Sequence, residues 1–124
     1  MTGIELIAQE RERQIKELGF DTKHDDDVNH ESGELALASV CYASPINLYC
    51  HEITYKGQSI FTDPWPNTWE KKWDKRKLKN TWTNSILPNE NLPLPERIRN
   101  LVKAGALIAA EIDRLQRRQG NESH

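Results

Sequence analysis

The segment Leu35 to Ala43 places the strongest constraint on how this chain folds. Its nine residues, LALASVCYA, are typical of a helix and form no polar face. A helix that is apolar all round has to be covered by other elements on every side. The segment therefore predicts a central helix of about residues 32–44, with Ser32 as its N-cap and Pro45 as its stop.

The spacing of apolar residues predicts two further core helices. The first covers about residues 3–19, where Ile4, Ile15 and Leu18 share one face and Gly19 ends the pattern. The last covers about residues 96–118 and follows a group of prolines. Three such helices favour a mainly α fold, a small helical bundle.

The last predicted helix carries one continuous apolar stripe. It consists of Ile98, Leu101, Gly105, Ile108, Ile112 and Leu115. Gly105 predicts that a neighbouring helix approaches closely, because glycine has no side chain in the way. No residue from Ala104 to Ala110 is charged at any angle. We therefore expect this helix to be covered on more than one side, by the rest of the chain or by a second subunit.

Length and composition favour one domain, residues 1–124, with a long irregular insertion at about residues 45–95 that is rich in Trp and Lys. Within the insertion, residues 52–61 predict either a small hairpin or an ordered loop. The net charge of −2 argues against a general nucleic-acid binder. No apolar run approaches the roughly 20 residues of a membrane span, and the first residues do not resemble a signal peptide, so we expect no membrane partner and a cytoplasmic protein.

An acidic segment just before the central helix is the best candidate for a metal site. His24, Asp25 and Asp26 lie in a loop, and Glu31 and Glu34 are spaced to share one helical face. Such an oxygen-rich set is typical of a site for Mg²⁺ or Mn²⁺. Alternatively, the two glutamates only stabilise the helix N-terminus and the acidic run is a solvated turn.

Arg11 lies in the middle of the apolar face of the first helix, where an arginine needs a partner. We interpret it either as half of a buried salt bridge or as a clamp for a phosphate or carboxylate. Glu10 and Gln14 flank it. In the last helix, Lys103 and Glu111 are further candidates, although surface ion pairing is an alternative there.

Three tryptophans, Trp65, Trp69 and Trp73, recur at intervals of four among lysines. Aromatic rings beside basic side chains suggest stacking on a nucleobase, with the lysines near phosphates. The alternative is that Trp69 and Trp73 fix this segment to a small core while the lysines stay in water.

Five strings of this sequence together resemble a family of small phage and prophage-borne proteins. They are residues Glu10–Gln14, His24–Asp26, Gly33–Ala36, Cys41–Ala43 and Leu101–Leu115. That family is similar to the N-terminal region of predicted dATP/dGTP diphosphohydrolases and, more distantly, to the all-α MazG-like nucleotide pyrophosphohydrolases. The resemblance covers both ends of the chain and leaves the middle unmatched.

The resemblance implies Mg²⁺-dependent release of pyrophosphate or phosphate from nucleoside triphosphates, in an oligomeric helical bundle. The candidate site residues are Glu34 and Lys103 for catalysis; Arg11, Gln14, Lys103, Trp65 and Trp69 for substrate binding; and Glu10, His24, Asp25, Asp26, Glu31, Glu34 and Glu111 for the metal. The chain departs from the MazG-like pattern in its last helix, where Lys103 and Ala106 stand in place of a carboxylate pair.

A non-enzymatic role is the alternative to hydrolysis. A phage-encoded binding module would hold a nucleotide without cleaving it, or would contact a host protein or nucleic acid through the basic residues Lys71 to Lys79.

Overall fold

The computed structural model describes residues 1–18, 33–69, 73–76 and 86–122. These contain the helices α1 (Gly3–Leu18), α2 (Glu34–Ala43) and α3 (Leu94–Glu122), the strands β1 (Cys50–Ile53) and β2 (Ser59–Thr62), and a 3-10 turn at Asn89–Asn91. The prediction of a mainly α chain is confirmed. The strands pair antiparallel with Cys50 opposite Thr62, so the segment for which the sequence allowed a hairpin or a loop is a hairpin.

The N-termini of α1 and α2 are formed in different ways. At α1, the Thr2 hydroxyl accepts the Glu5 N–H and the Glu5 carboxylate accepts the Thr2 N–H, which is a capping box. At α2, the cap is Gly33, with a φ of 83°, a backbone conformation that glycine adopts without strain. The predicted N-cap Ser32 and the end of the first helix at residue 19 lie outside the described residues.

Helix α3 is longer than the sequence predicts, because it begins at Leu94 and ends at Glu122. Pro95 is accommodated in the first turn, where a missing N–H costs no intrahelical hydrogen bond. The Pro93 carbonyl accepts the N–H groups of Glu96 and Arg97. Gly120 does not end the helix.

The core forms where α2 packs on α3. It comprises Leu35, Ala38, Tyr42, Trp69, Ala104, Leu107 and Ala110. The alanines let the two helices approach closely, and the buried Ser39 hydroxyl donates a 2.8 Å hydrogen bond across the interface to the Ala104 carbonyl. Helix α1 packs on α3 at Gly105, where an added Cβ would lie 2.6 Å from the Ile7 side chain. The predicted close approach at Gly105 is thus confirmed.

One expectation about burial was wrong. Helix α2 is not covered on all sides, since Leu37 and Val40 stay partly exposed. The apolar stripe of α3 does not face the core, and its larger side chains are about half exposed. The face of α3 that is buried instead carries Ala104, Leu107 and Ala110, because these small residues fit against α2.

Asn89 links α2 to α3. Its amide donates to the carbonyls of Tyr42 and Ser44, at 2.6 and 2.9 Å, and thus satisfies the C-terminal end of α2. Its carbonyl oxygen accepts a 2.7 Å hydrogen bond from Asn100 on α3. Because Asn89 is buried, these groups have no water to replace a lost partner.

Asn89→Asp is therefore expected to destabilise the fold by about 3 kcal/mol, because a carboxylate would face two buried carbonyls without a proton to donate. Asn91→Asp, an exposed site in the same turn, is the matched control and is expected to change stability by less than about 0.5 kcal/mol. Urea unfolding measures both. Equal effects of the two substitutions would contradict this role for Asn89.

Candidate functional site

The largest concave feature of the described residues is a cavity of about 730 Å³ between the three helices and the tryptophans. Its lining comprises Glu10, Arg13 and Gln14 of α1, Tyr42 of α2, Trp65, Trp69, Trp73 and Lys75 of the insertion, and Arg99, Lys103 and Leu107 of α3. We call it the aromatic–basic cavity. Its volume lies in the range that is usual for small-molecule sites.

Four aromatic rings form one wall of the cavity. Tyr42, Trp65, Trp69 and Trp73 follow one another edge to face, with ring centroids 5.5 to 5.6 Å apart. Trp69 is 6% exposed and belongs to the core, so it anchors the wall, whereas Trp65 and Trp73 are only partly buried. The interpretation that these tryptophans fix the segment to the core is confirmed for Trp69, and stacking on a nucleobase stays a prediction.

Arg76 follows the three tryptophans of this wall in the chain and fixes the end of their segment by ion pairs. Its guanidinium binds Asp63 at 2.5 Å and Asp74 at 2.8 Å, and it lies 5.0 Å from the Trp65 ring centroid. Burial lowers the pKa of Arg76, but the hydrogen bonds to both aspartates outweigh burial and raise it above its ordinary value. Arg76 is thus permanently charged and holds residues 63 and 74 together.

Tyr42 holds the backbone of the same segment at Trp73 and Lys75, beside the cavity. Its hydroxyl oxygen accepts the Lys75 N–H at 2.9 Å, and the hydroxyl lies 3.5 Å from the Trp73 carbonyl as a donor. Burial raises the pKa of Tyr42 to about 12. The hydroxyl therefore stays protonated at neutral pH and can serve as donor and acceptor together.

The charges around the cavity are mainly positive. Arg13 binds Glu10 through two hydrogen bonds of 2.7 Å, so this pair is neutral. Lys75, Arg99 and Lys103 have no carboxylate partner among the described residues. Burial lowers the pKa of Lys103, and so does repulsion from neighbouring cations. The attraction of the Glu10 carboxylate acts in the opposite direction and raises this pKa. An anion in the cavity would relieve this repulsion.

Gln14 adds a polar group to the cationic side of the cavity. The residue is 3% exposed, and its amide nitrogen donates to Glu10 at 3.3 Å. Its carbonyl oxygen is buried without a hydrogen-bond donor among the described residues. A buried acceptor without a donor favours a ligand whose hydroxyl or amine group donates a hydrogen bond to it.

The structure brings five of the predicted site residues together in the cavity lining: Glu10, Gln14, Trp65, Trp69 and Lys103. Three others do not line it. Arg11 is partly buried on α1, Glu34 is buried at the start of α2, and Glu111 is buried and accepts a 2.5 Å hydrogen bond from Arg114. His24, Asp25, Asp26 and Glu31 lie outside the described residues.

The metal prediction remains a prediction. Within residues 1–18, 33–69, 73–76 and 86–122, no three side chains of His, Cys, Asp or Glu come together as a metal site. Of the predicted ligands in these ranges, Glu10 and Glu111 each bind an arginine. The described carboxylates therefore do not by themselves form a complete site for Mg²⁺ or Mn²⁺.

Six residues of the cavity lining are not among the predicted site residues: Arg13, Tyr42, Trp73, Lys75, Arg99 and Leu107. Trp73 and Lys75 belong to the pattern of tryptophans among lysines, and this pattern could have indicated them as site residues. Arg99, Lys103 and Leu107 follow one another at intervals of four, so helical spacing from Lys103 would have indicated Arg99.

Comparisons of this chain with protein families, with curated proteins and with solved structures gave no match. In the part of the chain that the structure describes, no helix has both the length and the apolar character needed to cross a bilayer.

The raised pKa of Tyr42 predicts a specific loss of stability at alkaline pH. An unfolded tyrosine has a pKa of about 10, so the burial of neutral Tyr42 stabilises the fold fully below pH 10 and less as the pH rises towards 12. The loss should reach the order of 2 kcal/mol. Urea unfolding of the wild type and of Tyr42→Phe across this pH range measures it.

Tyr42→Phe is expected to lack this pH dependence, although it is less stable at neutral pH because the Lys75 N–H loses its acceptor. Tyr55→Phe is the control, since Tyr55 is 94% exposed, and it should behave as the wild type does. Parallel curves for the wild type and Tyr42→Phe would contradict the buried position of this hydroxyl.

Proposed function

We propose that this protein binds a nucleoside triphosphate, with deoxynucleoside triphosphates as the preferred class, in the aromatic–basic cavity and hydrolyses its phosphate chain with Mg²⁺ or Mn²⁺. The observation that supports binding most directly is that three cations, which have no carboxylate partner within the described ranges, share a cavity with four aromatic rings. An aromatic base with a chain of phosphates has the matching chemistry.

The two ends of the ligand are assigned to different walls. The base stacks on the partly buried rings of Trp65 and Trp73, a contact that is worth about 1–3 kcal/mol in other nucleotide binders. Lys75, Arg99 and Lys103 meet the phosphates, and the Gln14 carbonyl oxygen accepts a hydrogen bond from the base or the sugar. Tyr42 acts indirectly, by holding Trp73 and Lys75 in place.

Arg99→Ala is expected to weaken nucleotide binding by about 10- to 100-fold, because a charged hydrogen bond to phosphate is worth about 1.5–3 kcal/mol. Arg97→Ala is the matched control, since Arg97 lies two residues away on α3 and does not line the cavity. Calorimetric titration with dATP and dGTP measures both affinities. Equal losses in the two variants, or none in either, would place the phosphates elsewhere.

The hydrolytic part of the proposal rests on the family resemblance and on the acidic residues of the sequence. Glu34 is the carboxylate to test, since it is buried at the start of α2, directly after the acidic segment of the sequence. A divalent cation held near it would lower the pKa of a bound water and neutralise phosphate charge.

Purified protein with Mg²⁺ or Mn²⁺ is expected to release phosphate or pyrophosphate from at least one member of a panel of NTPs and dNTPs. Glu34→Gln should lower the rate by at least about 100-fold, and removal of the cation with EDTA should abolish it. Glu52→Gln, at an exposed position of β1, is the control and should keep full activity. Nucleotides that stay intact across the panel would contradict hydrolysis.

A binding module without hydrolysis is the second candidate function. The observation that favours it is that Glu10 and Glu111 are each neutralised by an arginine, which leaves them poor metal ligands. Such a module would sequester a nucleotide, or would contact a host protein or nucleic acid. Nucleotide affinity that depends on Arg99 in a protein without turnover would support this second function.

The finer architecture belongs to the same proposal. We propose that α1, α2 and α3 form a MazG-like bundle, that residues 45–95 are an insertion into it, and that the protein is a homo-oligomer. A cytoplasmic location, where nucleoside triphosphates are available, is also part of this proposal.

A further inference from the structure

The apolar stripe of α3 is the largest feature of the fold that the nucleotide proposal does not use. Ile98, Leu101, Ile108, Ile112 and Leu115 are each 47–53% exposed, which is unusual for a row of branched aliphatic side chains on one helix. None of the cavity residues of α3 belongs to the stripe. The stripe is therefore separate from the cavity that is proposed to bind the nucleotide.

The spacing of the stripe indicates what it packs against. Its six positions are separated alternately by three and four residues, and Leu94 extends the pattern by one more step. This is the heptad repeat of a helix that packs lengthwise on another helix, with side chains of one inserted between those of the other. From Ile98 to Leu115 the stripe is ~25 Å long and contains no charged residue.

Helix α1 covers only the edge of the stripe. It contacts α3 at Gly105 through Ile7, and it leaves Ile4 and Ile15 exposed, at 82% and 39%. Helical spacing puts Ile4 and Ile15 on the side of α1 that carries Ile7, so the two helices present one two-helix face. With helices about 10 Å wide, this face measures on the order of 500 Å². Two such faces together would bury about 1,000 Å², the lower limit for a specific protein interface.

We propose that this face is the interface with a second copy of the chain, and that the stripe of one copy packs on the stripe of the other. A two-fold axis brings the same uncharged α3 stripe against itself, so no like charges meet along the stripe. Arg11, the charged residue on the face of α1 that carries Ile4 and Ile15, lies on α1 and not in the stripe. The α1 and α3 helices of the two copies then form a four-helix bundle. This proposal names the surface behind the homo-oligomer proposed above and does not depend on nucleotide binding.

Sedimentation analysis of the wild type over a dilution series tests the proposal first. A dimer that dissociates on dilution, or a stable dimer, is expected, and a wild-type protein that stays monomeric at high micromolar concentration would overturn it. Leu101→Glu and Ile108→Glu should each weaken association by at least about 100-fold, because they place a charge in an apolar contact.

The matched control is Ile53→Glu, which places the same charge at a side chain that is 69% exposed on β1 and lies off the stripe. It should associate as the wild type does. Circular dichroism should show unchanged helix content in all three variants, and Ile112→Gln, a milder change in the stripe, serves if a charged variant unfolds. Dimers that persist in the stripe variants, or that dissociate in Ile53→Glu alone, would show that the interface lies elsewhere.

Discussion

The burial of Trp69 between α2 and α3 is the interaction on which the rest of this structure depends. The two helices meet through small residues, Ala38, Ala104 and Ala110, and the indole fills the space beside them. A buried tryptophan contributes several kcal/mol through its large apolar surface. Trp69 lies in the insertion after the hairpin, and its burial fixes this part of the chain to the core.

The cavity follows from this anchoring. Once Trp69 is fixed, Trp65 and Trp73 stand on either side of it, edge to face, and cannot collapse onto the helices without breaking these contacts. Arg76 and the Tyr42 hydroxyl hold the end of the segment. The result is an aromatic wall that faces residues of α1 and α3 across the cavity.

The distribution of charge separates structural from functional cations. Arg76 and Arg114 are buried and bind carboxylates at 2.5 to 2.8 Å, as stability requires of a buried charge. Lys75, Arg99 and Lys103 lie around the cavity and have no such partner among the described residues. Cations placed close together repel one another, and the proposed anionic ligand would offset this repulsion.

Sequence reasoning predicts the helices and the contact at Gly105, because both depend on local spacing. It does not identify the face of α3 that is buried against α2, because the stripe of large aliphatic residues is the more hydrophobic face. The face that is buried is instead the one whose alanines pack against α2. Such packing depends on the shape of the partner helix. Arg99 joins the cavity only through the path of the insertion, which apolar periodicity does not specify.

The measurement that tests the central claim most directly is an NMR titration of the tryptophan indole N–H signals with dATP or dGTP. If the nucleotide lies in the aromatic–basic cavity, the Trp65 and Trp73 signals shift and saturate together, at the concentration that saturates binding. If the nucleotide binds while both signals stay in place, the aromatic wall is not its site and the account is wrong.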